Sequence, residues 1–178
     1  FTKDLLVNPT VNFLGKRKAS SNMVIPNGLL VDRFREGFDT PDEPLKILFV
    51  GRMVAQKDPL TFVKACKIIN DLKIPAHFTM VGDGPLKESV EKLILKLGIM
   101  NIELLGKVSQ YQVYHEYENS HLLVLPSREE AMSMVVLEAV SRGIYVITTP
   151  VSGNNELIKE GINGNLVPID QPKEVAEQ

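Results

Sequence analysis

The chain has 178 residues, 44% of them hydrophobic and 24% charged, enough for one well-cored globular domain. A formal charge of −2 gives no electrostatic basis for binding nucleic acid or an anionic membrane surface. A lone cysteine, Cys66, rules out an internal disulfide framework and points to a reducing compartment, and no apolar run approaches the roughly 18 residues of a membrane span.

In chain order, residues 1–22 carry little pattern beyond a basic cluster, Lys16-Arg17-Lys18, which reads as a solvated loop. Ile25-Pro26-Asn27-Gly28 holds a strong turn signal, and Asp39 to Pro44 reads as an acidic surface loop. Lys46 to Val50 is a continuous apolar run, as expected of a strand covered on both faces. Asp58-Pro59 supplies a cap and a first-turn proline for a helix bearing Phe62, Val63, Cys66, Ile69 and Leu72. His77 to Val81 is the next strand, followed by Gly82-Asp83-Gly84-Pro85, with Pro85 expected to start a helix striped by Leu86, Val90, Leu93, Ile94 and Leu97. Ile102 to Leu105 is a short strand, and Ser109 with Gln112 suits a capping box for a helix reaching Ser120. Strands at Leu122–Leu125 and Tyr145–Thr148 flank a helix containing Glu138; Asn155–Lys159 reads as a short helix and Asn165–Pro168 as a last strand. Alternating strands and helices predict an α/β fold, a doubly wound, Rossmann-like parallel sheet whose ligands bind outside the carboxyl ends of the strands. The absence of an initiator Met at Phe1 and the helix-like ending Glu174–Gln178 suggest a piece cut from a longer protein, truncated near its last helices.

Chemistry concentrates in two stretches. Pro126 to Ala139 runs from a strand end through a polar turn into an apolar helix, with Glu130 before the helix and Glu138 inside it, seven residues between them. A helix N-terminus attracts anions through unpaired N–H groups and its dipole, and Glu138 is expected about two turns further on, roughly 9 Å along the axis. Arg142 stands four residues after Glu138, so a helix salt bridge accounts for that carboxylate as well as a ligand hydroxyl does. Gly51-Arg52-Met53-Val54-Ala55-Gln56-Lys57 follows the first strand and places an arginine fork and a lysine at its carboxyl end, suited to a diphosphate or simply solvated. Gly82-Asp83-Gly84 lacks the third glycine of a dinucleotide fingerprint, and His77, His115, His121 and Cys66 show no metal-ligand spacing.

The Glu-x7-Glu element, Gly-Arg-x4-Lys, Val81-Gly82-Asp83-Gly84-Pro85, Ile25-Pro26-Asn27-Gly28 and Ser152-Gly153-Asn154-Asn155-Glu156-Leu157 together resemble the carboxyl-terminal, donor-binding half of the group 1 family of retaining glycosyltransferases with the GT-B architecture. By that resemblance residues 23–178 form a nucleotide-sugar-binding domain and residues 1–22 a linker from a missing amino-terminal acceptor domain. Arg52 and Lys57 would grip the donor diphosphate beside Gly51, and Glu130 would hold sugar hydroxyls as the third catalytic residue. The backbone of Ala131, Met132, Ser133, Met134 and Val135 would touch sugar and phosphate, Glu138 would bind the ribose hydroxyls, and Lys107 and Val108 would face the base. The resemblance implies a nucleoside-diphosphate sugar as donor, no metal or other cofactor, a cytoplasmic setting, and membrane contact only through the missing half. Ala131 and Ser133 depart from the family, which has glycine there, and glycine permits close approach and φ > 0. An epimerase or phosphorylase of the same architecture, or a non-catalytic module retaining the fold, are the alternatives.

Overall fold

In the computed structural model, which describes residues 44–151 and 153–178, the apolar run after Pro44 is strand β1 (Leu45–Val50). The basic cluster, the Asn27-Gly28 turn, the acidic loop short of Pro44, and Ser152 lie outside the described residues. The last four residues of β1 are buried because it runs inside a sheet, between β2 (Ala76–Val81) and β4 (Leu122–Leu125). Adding β3 (Ile102–Gly106), β5 (Tyr145–Thr148) and β6 (Gly164–Leu166) gives the order β3-β2-β1-β4-β5-β6, every neighbouring pair parallel.

Parallel neighbours require crossovers, here through α1 (Pro59–Asp71), α2 (Lys87–Leu97), α3 (Gln110–Glu118), α4 (Met134–Ser141) and α5 (Asn154–Leu157), with α6 (Pro172–Glu177) closing the chain. Helix α1 packs with α2 and α6, and α4 with α5, forming two layers around the sheet. The expected doubly wound parallel sheet is the observed one. Its winding reverses between β1 and β4, the switch point at whose carboxyl edge ligands of such sheets bind.

The core is centred on Phe49, Phe62 and Phe78, all 1% exposed or less. Their rings stack obliquely, Phe49 on Phe62 at 5.4 Å and Phe62 edge-on to Phe78 at 6.4 Å. Each such ring contributes about 2–3 kcal/mol of burial, which anchors α1 over β1 and β2.

Several boundaries differ from the sequence reading for tertiary reasons. Helix α2 starts at Lys87, not Pro85, because Leu86 N–H donates to the Met53 carbonyl at 2.9 Å and holds the preceding turn against the β1 loop. Leu72 falls past α1 as its C-cap and is 56% exposed. Helix α3 ends at Glu118, two residues before Ser120. Helix α5 covers Asn154–Leu157, since Lys159 N–H turns to the Asn163 side chain at 2.7 Å instead of continuing the helix. Ser109 does accept from Gln112 N–H at 3.2 Å, the first half of the capping box.

Candidate functional site

Backbone contact assembles the carboxyl edge. Gly51 N–H donates to Val81 O at 2.9 Å, Gly82 N–H to Gly106 O at 2.8 Å, and Met53 N–H to Asp83 O at 2.9 Å. Gly82 has φ +132, and a Cβ there would stand 1.9 Å from the Gly51 carbonyl oxygen; at Gly84 it would meet Met53 O at 2.6 Å. These glycines permit the close backbone approach. They lock the loop that carries Arg52 against the end of β2.

That loop leads into a 3-10 turn, Ala55–Lys57, which points Lys57 across the switch point. Its ammonium pairs with Glu130 Oε1, which also accepts from Ser127 Oγ at 2.9 Å. The two side chains are only 15% and 8% exposed. Losing either partner would therefore strand a charge with little solvent. Glu130 Oε2 has no partner among the described residues, and the exposed guanidinium of Arg52 has none either. Lys57 and Glu130 lie 73 residues apart in sequence; the adjacency of β1 and β4 brings them together.

A latch beside the pair fixes both loops. Arg128 N–H donates to Gln56 O at 2.8 Å, and Gln56 Nε2 donates to Glu129 O at 3.0 Å. The Arg128 guanidinium bridges Asp58 at 2.7 Å and Asp170 at 3.1 Å. The Asp58 charge, followed by that of Asp170, raises the Arg128 pKa. Asp58 caps α1 through Thr61 N–H at 3.2 Å and accepts from the Thr61 hydroxyl at 2.9 Å, despite a left-handed φ of 46°. From the other side, Thr149 Oγ1 donates to Ser127 O at 2.5 Å.

The turn into α4 has the form the sequence suggested, but the helix begins at Met134. Glu138 is thus little more than one turn inside it, about 6 Å along the axis, not two turns. Neither Ala131 nor Ser133 has positive φ, Ser133 sitting at φ −80°, so the absent glycines bring no backbone strain. Gly153 presses on this turn instead: a Cβ there would lie 2.9 Å from Ala131 O and 3.0 Å from Met132 Cα. Ala131 is exposed; Met132, Met134 and Val135 are half-buried. Ser133 is buried, and its hydroxyl has no hydrogen-bond partner among the described residues. Asn154 donates to Thr148 Oγ1 and Thr149 O, while its own Oδ1 is also buried without a partner among the described residues.

The expected alternative of an Arg142–Glu138 side-chain salt bridge is not formed. Arg142 Nη1 donates to the Glu138 backbone carbonyl at 3.1 Å, and its guanidinium lies 4.1 Å above the Tyr114 ring and 5.6 Å from that of Tyr117. The Glu138 carboxylate is held from α3: Tyr117 hydroxyl donates to Oε2 at 3.0 Å and Gln110 Nε2 to Oε1 at 3.4 Å. Burial, with the neighbouring Glu138 charge second, pushes the Tyr117 pKa well above its ordinary value. Val108 is half-buried on the core after β3, and Lys107 is exposed. Sequence reading missed Ser127, Arg128, Tyr117, Gln110 and Gly153 as parts of this region. Only Gly153 carried a local signal, as the glycine of the Ser152–Leu157 motif.

A parallel sheet of this order, with cations and carboxylates gathered at its switch point, defines a class: doubly wound, Rossmann-like α/β domains. Residues 31–178 match the family model described as Glycosyl transferases group 1, and the chain belongs to that family. It is 32% identical over 169 residues to the Escherichia coli UDP-Gal:alpha-D-GlcNAc-diphosphoundecaprenol alpha-1,3-galactosyltransferase, covering 83% of this chain and 41% of that one. Against alpha-D-kanosaminyltransferase of Streptomyces kanamyceticus it is 31% identical over 144 residues, covering 80% and 37%. The chain thus spans about two fifths of the length of these relatives. Among solved structures, the lipopolysaccharide outer core galactosyltransferase WaaB superposes with a TM-score of 0.70 at 27% identity, covering 79% of this chain and 40% of that one. The C-terminal domain of the Francisella tularensis group 1 protein LpcC gives 0.69 at 21%, covering 75% and 72%. The fold is the Rossmann-like domain of GT-B glycosyltransferases. No helix among the described residues is long and apolar enough to cross a membrane.

Proposed function

We propose that this chain is the donor-binding half of a retaining glycosyltransferase that moves a sugar from a nucleoside-diphosphate sugar to a glycan or lipid-linked acceptor. The observation that carries this reading is the Lys57–Glu130 pair, set across the switch point, with Arg52, unpartnered among the described residues, on the same loop as Lys57. Group 1 membership supports it, as do the UDP-sugar and lipid-diphosphate named for the E. coli relative. The structure of Anabaena HepE in complex with UDP-glucose, superposing at a TM-score of 0.67, is consistent in fold.

On this reading the diphosphate sits between Arg52, Lys57 and the first N–H groups of α4, with the Ser133 hydroxyl, which has no partner among the described residues, placed to donate to it. As the bond from the anomeric carbon to phosphate oxygen breaks, negative charge grows on the leaving phosphate. Two cations, Arg52 and Lys57, and a helix N-terminus stabilise that charge without a metal. Glu130, with Oε2 unused, accepts from sugar hydroxyls; Glu138 accepts from the ribose, and Lys107 and Val108 border the base. Acceptor contacts and a further catalytic contribution come from an amino-terminal half, beyond this chain. The setting is cytoplasmic. Alone, the chain binds donor nucleotide and transfers nothing.

Calorimetric titration with UDP, GDP and ADP tests this. At least one should bind, and Lys57→Ala should weaken that nucleoside diphosphate about 10- to 100-fold, the loss of a charge-assisted contact. The free nucleoside should change little. No binding by any of the three at millimolar concentration would refute the reading, and equal losses for nucleotide and nucleoside would remove Lys57 from the diphosphate site.

A further inference from the structure

We propose that Tyr117 is a positioning residue that fixes the rotation of Glu138, and that Gln110 is a placeholder donor that yields Glu138 Oε1 to a ligand hydroxyl. The inference rests on the reading of Glu138 as the ribose-binding carboxylate and says how this chain prepares it.

Glu138 has an acidic side chain on a half-buried helix face, yet no cation pairs with it among the described residues. The one cation within a helical turn, Arg142, is diverted: it donates to the Glu138 carbonyl and to Ser141 Oγ, and its guanidinium is stacked on Tyr114. The carboxylate is therefore met by neutral donors only, and these are unequal. Tyr117 is 0% exposed, so its hydroxyl cannot turn to water; it reaches Oε2 at 3.0 Å, with only a 3.5 Å approach to Val135 O as an alternative. That bond is permanent in the sense that leaving it would orphan a buried hydroxyl. It also sets the carboxylate plane, because one oxygen is pinned to the α3 core.

Gln110 is the opposite. It sits exposed at the first residue of α3, and its amide reaches Oε1 at 3.4 Å, a long contact for a hydrogen bond. A solvent-facing amide gives way to a better-placed hydroxyl at little cost, since water takes it up. Both donors come from one helix, so α3 holds one oxygen and screens the other until a diol arrives.

The test is a cycle of protein and ligand. The chain is titrated calorimetrically with whichever of UDP, GDP and ADP binds best, and with its 2′,3′-dideoxy counterpart. Tyr117→Phe keeps the buried ring and deletes only the hydroxyl. It should weaken the ribonucleotide about tenfold, on the scale of one hydrogen bond to a charged group, and leave the dideoxy ligand within about twofold. Gln110→Ala should leave ribonucleotide affinity unchanged or raise it. Equal loss for both ligands in Tyr117→Phe would make Tyr117 a packing residue and overturn the proposal, as would no loss for either. A fall in ribonucleotide affinity in Gln110→Ala would make Gln110 a ligand contact and overturn the second clause. Glu138→Gln separates the levels of failure. If Glu138→Gln weakens the ribonucleotide selectively while Tyr117→Phe does not, only the positioning role falls. If Glu138→Gln treats both ligands alike, the ribose assignment itself is wrong and the proposal falls with it.

Discussion

Gly82→Ala asks whether the carboxyl edge is held by direct backbone contact. A methyl at Gly82 would stand 1.9 Å from the Gly51 carbonyl oxygen and 2.8 Å from its carbon. To reach even 3.0 Å, a separation real Cβ atoms essentially never fall below, the two backbones must part by about 1 Å. Neither is the far end of a flexible side chain, so relaxation drags the ends of β1 and β2 with it. Overpacking of that kind costs about 1–3 kcal/mol, and a non-glycine residue at φ +132 adds about 1–3 kcal/mol of strain. The combined loss of about 2–6 kcal/mol lowers Tm on the order of 10 °C for a chain of this size. Gly98 is the matched control: φ is +65 and nothing lies within 4 Å, so Gly98→Ala meets strain alone, about 1–2 kcal/mol. Urea unfolding followed by far-UV circular dichroism gives both losses, with the slope m expected unchanged. Gly82→Ala should exceed Gly98→Ala by at least about 1 kcal/mol, the lower bound of the clash. Equal losses would refute the reasoning, because they would mean that the Gly51 contact relaxes freely.

Two other outcomes follow from named contacts. Arg128→Ala leaves Asp58, whose side chain is only 7% exposed, with the Thr61 donors but without its cation, and should destabilise by about 1–2 kcal/mol in urea, less in molar salt than in dilute buffer; an unchanged midpoint in both would show that the latch holds nothing. Cys66 is buried and its thiol pKa is raised, chiefly by burial, so Ellman's reagent should react with the native chain far more slowly than with the urea-unfolded chain. The linked stability should be full below about pH 8.5, the ordinary thiol value, and fall as pH rises above it, since only the unfolded thiol then loses its proton. Rapid native labelling at pH 8 would place the thiol at the surface.

The order of elements was legible in the sequence because a parallel sheet buries both faces of its strands. β1, β4 and β5 therefore read as mostly apolar runs without alternation, and the last two matched their expected bounds to the residue. Family motifs also marked Arg52, Lys57, Glu130 and Glu138 as the residues to look for. Local periodicity could not supply the protein partner of Glu138. It offered Arg142 at one helical turn, whereas the fold supplies Tyr117 from another helix, 21 residues earlier, and sends Arg142 to an aromatic face. Likewise Asp58 showed itself as a helix cap but not as the acceptor of Arg128, and Gly82 as a broken fingerprint but not as the seat of the Gly51 carbonyl. Sequence alone fixes what each segment prefers, since propensity, capping and burial pattern act within a few residues. Which charge meets which across the switch point, 73 residues apart for Lys57 and Glu130, is decided by strand order and register, and these exist only once the sheet has closed.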